Sequence, residues 1–241
     1  MDLYPKIPVL VYHKIAEPSA HDANPNTCVT PGNFESQMKF MRLMGYQTAA
    51  AGEYLKARKG LAAKLPARPF LITFDDAFES VLTRALPVLK KNGFSAAVFM
   101  VSSGFGASAF WDGETGESPN RLLDAAGLIQ LRDEGWEIGS HGVTHRDFRL
   151  LDCRELADEA ARSKAELESA LGSGVSWFAY PYGAYTEESK SALAAAGYSI
   201  GFATESGDGG VFSVPRRIIS GKSGMLNFAL RLRQAGRKSV L

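Results

Sequence analysis

Cysteine is nearly absent from this chain. Its 241 residues include two, Cys28 and Cys153, far apart and without Cys-x-x-Cys spacing, which supports neither a zinc knuckle nor a disulfide framework and fits a reducing compartment. An excess of charge is missing too: 27 Lys and Arg stand against 26 Asp and Glu, so neither nucleic acid nor an anionic membrane is indicated as a partner. No apolar run is long enough to span a bilayer, and Met1-Asp2-Leu3-Tyr4-Pro5-Lys6 lacks the basic stretch and apolar segment of a secretory leader. The expectation is a cytoplasmic protein, or a periplasmic or secreted one had a leader been trimmed. No internal repeat and no Pro/Ser/Gly-rich linker divides the sequence, so one domain over residues 1–241 is expected.

What is present suits a compact fold: 45% apolar residues and 24 glycines allow a sizeable core and many tight turns. Short apolar runs alternate with helical periodicity. Strands are expected over 7–12, 46–48, 69–72, 95–101, 136–140, 175–179, 199–203 and 211–219. Helices are expected over 30–45, where Phe34, Met38 and Met41 share a face, then 53–58, 78–91, 121–134, 150–171, 186–195 and 226–234. This alternation implies a single-domain α/β fold, most simply a barrel, with an open doubly wound sheet as the alternative. Residues 102–120 form a long loop carrying Phe110-Trp111-Asp112, and loops of that length are often functional. Trp111 is thus a candidate substrate wall, though a packing role accounts for it equally well.

The chemistry starts at Asp75-Asp76, directly after the run Pro69-Phe70-Leu71-Ile72 and Thr73-Phe74. Neighbouring side chains on a regular strand point to opposite faces, so both carboxylates serve one site only where the chain leaves strand geometry. Carboxyl ends of core strands are where α/β folds keep their chemistry. Alone, the pair reads as a solvated acidic turn. Ser140-His141-Gly142-Val143-Thr144-His145 then sets two imidazoles four residues apart just after another strand. On a helical turn such rings share a face and can grip one metal. Gly142 stands where a metalloprotease helix carries its Glu, so that reading fails and the base must come from Asp75-Asp76. Two neutral imidazoles and a carboxylate suit Zn2+, with Co2+, Ni2+ or Fe2+ as alternatives, and leave a position for water.

Thr73-Phe74-Asp75-Asp76, Ser140 to His145, and Phe178-Ala179-Tyr180-Pro181-Tyr182-Gly183 resemble, in order, the first three motifs of the polysaccharide deacetylases, carbohydrate esterase family 4, also called the NodB homology domain. The resemblance covers residues 7–219. It implies a distorted (β/α)7-type barrel and metal-dependent removal of acetyl from an N-acetylated saccharide. It further implies that Asp76, His141 and His145 hold the metal, that Asp75 is the general base and that the backbone N–H of Tyr182 faces the oxyanion. Pro181, Trp111 and Arg216 are carried as candidate substrate-binding residues.

Two departures accompany the resemblance. Ala179 occupies the place of an arginine that orients the base; Arg216 or Arg217, after Val214-Pro215, can fill that gap, or can be a surface ion pair. No histidine follows His145, so the family's C-terminal one is missing. Val11-Tyr12-His13-Lys14-Ile15 is similar to an N-terminal segment of a rearranged branch that includes poly-β-1,6-N-acetylglucosamine deacetylases, and this likeness makes His13 the general acid. His21 has no such support. The rival readings are a deformylase or other non-peptide amide hydrolase on the same fold, a non-haem iron oxygenase, and a catalytically silent saccharide-binding module.

Overall fold

The apolar runs become short parallel strands in the computed structural model, which describes residues 7–18, 24–112, 120–204, 206–221 and 224–235. In chain order the strands are β1 (Val9–Tyr12), β2 (Lys14–Ile15), β3 (Cys28–Val29), β4 (Gln47–Thr48), β5 (Pro69–Phe74), β6 (Ala97–Met100), β7 (Glu137–Ser140), β8 (Trp177–Ala179), β9 (Ile200–Phe202) and β10 (Arg217–Ile218). The helices are α1 (Pro31–Leu43), α2 (Ala51–Arg58), α3 (Leu86–Asn92), α4 (Ala125–Asp133), α5 (Cys153–Leu171), α6 (Glu187–Ala195) and α7 (Met225–Ala235).

Strands β2 and β3 pair only with each other; the rest form one parallel sheet ordered β10-β1-β5-β6-β7-β8-β9, with β4 on the first half of β5. Strands β5 to β9 lie side by side in sequence order, without the order reversal of a doubly wound sheet. Residues 214–218 draw the two ends of the sheet together. Val214 bridges Phe202 at the end of β9, and Arg217 and Ile218 pair with Leu10 and Val11 of β1. The result is a curled, distorted (β/α) barrel.

Alternation along the strands splits the core in two. Val9, Leu71, Ala97, Phe99, Trp177, Ala179, Ile200 and Phe202 form an inner cluster joined by Tyr54 of α2. Leu10, Tyr12, Phe70, Ile72, Phe74, Val98, Ile138 and Phe178 face the surrounding helices. Thr73 and Asp75 continue the inward series of β5, which directs Asp75 into the barrel mouth.

Helix starts follow side-chain caps. Thr30 accepts from the Asn33 N–H ahead of α1, Thr186 from Ser189 ahead of α6, and Asp152 with Glu155 makes a capping box that opens α5. Caps also correct two expectations. The helix expected over 121–134 starts only at Ala125 because Asp124 caps it, while Arg121 and Leu122 bridge to Ser108 and Phe78. The helix expected from residue 150 starts at Cys153, after a 3-10 turn at Phe148–Leu150. Residues 78–91 are not one α-helix: Val81–Ala85 is a π turn and α3 follows. Pro87 has no N–H to donate to the preceding turn. The strand expected over 211–219 is broken at Pro215, leaving the Val214 bridge and β10. The expected loop at 102–120 contains 3-10 turns at Ser102–Gly104 and Phe110–Asp112; residues 113–119, and His21, lie outside the described residues. Among the described residues no helix is long and apolar enough to cross a membrane.

Candidate active site

Four non-glycine residues among those described have positive φ: Asp76 at 70°, Ala77 at 56°, His145 at 55° and Tyr182 at 59°. Left-handed backbone costs an L-residue about 1–2 kcal/mol, and such outliers gather where function needs them. Here Asp76 and Ala77 are the point at which the chain leaves strand geometry after β5. Asp75 keeps the ladder through its N–H to the Tyr12 carbonyl, 3.0 Å away. Both carboxylates thereby serve one mouth of the barrel.

The Asp76 side meets the histidines. Its Oδ1 lies 3.3 Å from His145 Nε2 and 3.6 Å from His141 Nε2, all three side chains being buried. One donor atom from each residue falls within 4.8 Å of the others. Asp76 Oδ1 has no hydrogen-bond partner, and an orphaned buried acceptor beside two imidazoles is what a cation satisfies. Burial alone would raise the Asp76 carboxyl, but the neighbouring His145, with His13 and His141, holds it well below the usual carboxylate range. Burial pushes His141 down to about 4 against the pull of Asp75. Its Nδ1–H donates to the Ala179 carbonyl at 2.7 Å, which aims the Nε2 lone pair at Asp76 and His145. A neutral, oriented imidazole is the ligating form.

The Asp75 side meets Arg216. Nη1 and Nη2 donate to Oδ1 and Oδ2 at 2.6 and 2.7 Å, a bidentate pair in which Arg216 is 1% exposed. The same guanidinium donates to the Ala203 carbonyl and to Thr73 Oγ1 and lies over the rings of Phe99 and Phe202. Burial, the largest single influence, would raise Asp75, but the Arg216 charge and hydrogen bonds together with His141 and His13 outweigh it and lower the carboxyl. This corrects the substrate-binding expectation for Arg216: all three of its nitrogens are engaged by the protein, and it supports Asp75 where Ala179 has no side chain to do so. Arg217 instead lies in β10 beside Leu10.

His13 follows β1, half-buried, near enough that its positive form would act on both Asp75 and Asp76; its Nδ1 is buried without a hydrogen-bond partner. Trp111 stacks flat on His145, centroids 4.4 Å apart and planes 19° apart, and Tyr182 meets the same ring edge-on at 4.8 Å. From there a groove of about 660 Å³ runs outward between Phe110, Trp111, Thr144, Arg149, Leu150 and Tyr182. Pro181, carried as a candidate substrate-binding residue, is buried in the turn after β8 and is not among the residues lining this groove. Sequence reasoning missed Glu159, whose buried carboxylate holds the loop of the two histidines. A charged residue within the apolar stripe Leu156, Ala160 and Leu167 of α5 was the available signal.

The sequence pattern of the polysaccharide deacetylases matches residues 62–201, more than half of the chain. The chain belongs to the polysaccharide deacetylase family. YxkH of Bacillus subtilis (strain 168), a candidate polysaccharide deacetylase, is 30% identical over 227 residues, which span 91% of this chain and 74% of that protein. The poly-beta-1,6-N-acetyl-D-glucosamine N-deacetylase of Staphylococcus epidermidis is 24% identical over 210 residues, 81% of this chain and 69% of the relative. Among solved structures, the Streptococcus pyogenes deacetylase PplD in complex with acetate superposes with a TM-score of 0.78 at 27% identity, covering 94% of this deacetylase and 97% of that chain. The protein is a carbohydrate deacetylase, a hydrolase. Asp75, Asp76, His141, His145 and Tyr182 lie inside the matched segment; His13 and Arg216 lie outside it.

Proposed function

We propose that this deacetylase removes N-acetyl groups from an amino sugar within a polysaccharide, an oligosaccharide or its biosynthetic precursor, using a divalent ion, Zn2+ in the first place, held by Asp76, His141 and His145. The observation that carries the proposal is the buried Asp75–Arg216 fork standing beside that Asp-His-His donor set. Arg216 answers the departure at Ala179 on which the silent-module reading rested.

An amide resists water because its carbonyl is a weak electrophile and its amine a poor leaving group. When bound, a divalent ion supplies Lewis acidity, which polarises a carbonyl and lowers the pKa of water to about 7. Asp75 takes the proton of the attacking water. Arg216 keeps that carboxylate ionised and fixes its direction, so it is a weak but pre-aimed base, suited to a water already acidified. His13 delivers a proton to the departing nitrogen, and the Tyr182 backbone N–H donates to the developing oxyanion. Trp111 and Tyr182 wall the sugar between them.

Acetate release from a panel of N-acetylated saccharides and sugar nucleotides, in chelator and after zinc is restored, tests the proposal. Zinc-dependent release from at least one saccharide is expected. Saccharide binding without release would favour the silent module, and formate release from formylated analogues alone would favour a deformylase.

A further inference from the structure

The loop that carries the two histidines is more tightly held than its length requires, and the hold comes from one face of α5. The Glu159 carboxylate, 4% exposed, accepts from the N–H of Val143 at 2.6 Å and of Thr144 at 3.2 Å. The Thr144 hydroxyl donates to its other oxygen. One turn along, Ser163 accepts from the Ser140 hydroxyl at 2.9 Å, and Ser140 Oγ in turn accepts from the Gly142 N–H at 3.1 Å. The His141 N–H reaches the Met100 carbonyl. Every amide from residue 141 to 144 is thus bonded, and three of the four go to α5 directly or through Ser140. The Gly142 and Val143 carbonyls accept from Ser102 and Ser103.

Two further facts mark Glu159 as more than a helix residue turned inward. Among the described residues no Lys or Arg pairs with it, so its burial is compensated by three donors of the ligand loop alone. Gly142 has φ +81°, and a Cβ there would sit 2.9 Å from Glu159 Oε2, so the loop is shaped around the carboxylate. His145, one residue beyond the last clamped donors at Thr144, holds a left-handed backbone, a conformation that persists where the surrounding structure over-determines it.

We propose that Glu159, assisted by Ser163, is the positioning residue of the metal centre: it sets the backbone of residues 142–144 and thereby the approach of His141 and His145 to a common ion. The inference rests on the Asp76-His141-His145 reading above.

The test is zinc affinity, measured by chelator competition on the intact metal-free chain, with the melting temperature of the same metal-free samples. Glu159→Ala is expected to raise the zinc Kd about 10–100-fold. Glu159→Gln is expected to lie nearer wild type, since a rotated Thr144 hydroxyl lets the amide keep all three bonds. An alanine variant that melts lower but binds zinc as wild type does would overturn the proposal and leave Glu159 a packing residue. If Glu159→Ala does not fold, Gly142→Ala, which drives a methyl against the clamp, decides: a weakened Kd supports the proposal and an unchanged one overturns it. Zinc bound by no form, wild type included, would remove the metal reading itself and this inference with it.

Discussion

The two halves of the site are held in opposite ways. The histidine loop is fixed by hydrogen bonds to side chains near in sequence, 16 residues from Val143 to Glu159 and 23 from Ser140 to Ser163. The base is fixed by a single side chain, Arg216, 141 residues from Asp75. Many weak local bonds make the first half robust and legible as a motif. One long-range guanidinium fork makes the second half depend on closure of the barrel by residues 214–218. Binding and proton transfer should therefore fail separately.

The largest effect is expected from the first half. His141→Ala removes one of three converging donors, and zinc binding and acetate release should both fall below detection; metal content after dialysis, alongside the assay, checks this. Arg216→Met acts on the second half. Breaking a buried pair costs about 3–5 kcal/mol of stability, and a misaimed base costs on the order of 10²-fold in kcat. Zinc should stay bound. Because Arg216 is the largest of the influences that lower Asp75, its loss moves the acid limb of the pH–rate profile to higher pH. An unchanged acid limb would detach Arg216 from the base.

A third prediction concerns the metal-free protein. His141 sits at about 4 when folded, below the ordinary value near 6.5, so between these pH values the unfolded chain binds a proton that the native chain does not. Stability is full above about pH 6.5 and falls as the pH drops toward 4, by about 1–3 kcal/mol. Urea unfolding in chelator at pH 7 and pH 4.5 checks the sign. The smallest effect is expected at the groove wall: Trp111→Ala removes a stacking face worth about 1 kcal/mol and should raise KM roughly fivefold with kcat little changed.

The same contrast decides what the sequence could disclose. Asp75-Asp76 and His141/His145 were readable because each pair is adjacent or nearly so and follows an apolar strand; local spacing alone brings two ligands together. The alternation of strands and helices disclosed an α/β fold with a barrel as its simplest form, whereas the caps Asp124 and Asp152 set two helix starts later than periodicity placed them. Arg216 could not be separated from Arg217, because which of two neighbours points inward depends on the register of β10 against β1, fixed only once the sheet curls. Pro215 and Pro87 were visible, yet periodicity carried the strand over 211–219 and the helix over 78–91 through them, against the missing donor each imposes. Glu159 was placed on its helix but not given a role, since its three partners lie in a loop whose path no helical period describes.

Asp75→Asn is the sharpest single probe, with bound zinc and acetate release measured on the same preparation. A base distinct from the ligands predicts about one zinc per chain with release lowered about 10²–10⁴-fold. Release near the wild-type rate, or zinc lost together with activity, would contradict the division of labour between Asp75 and Asp76.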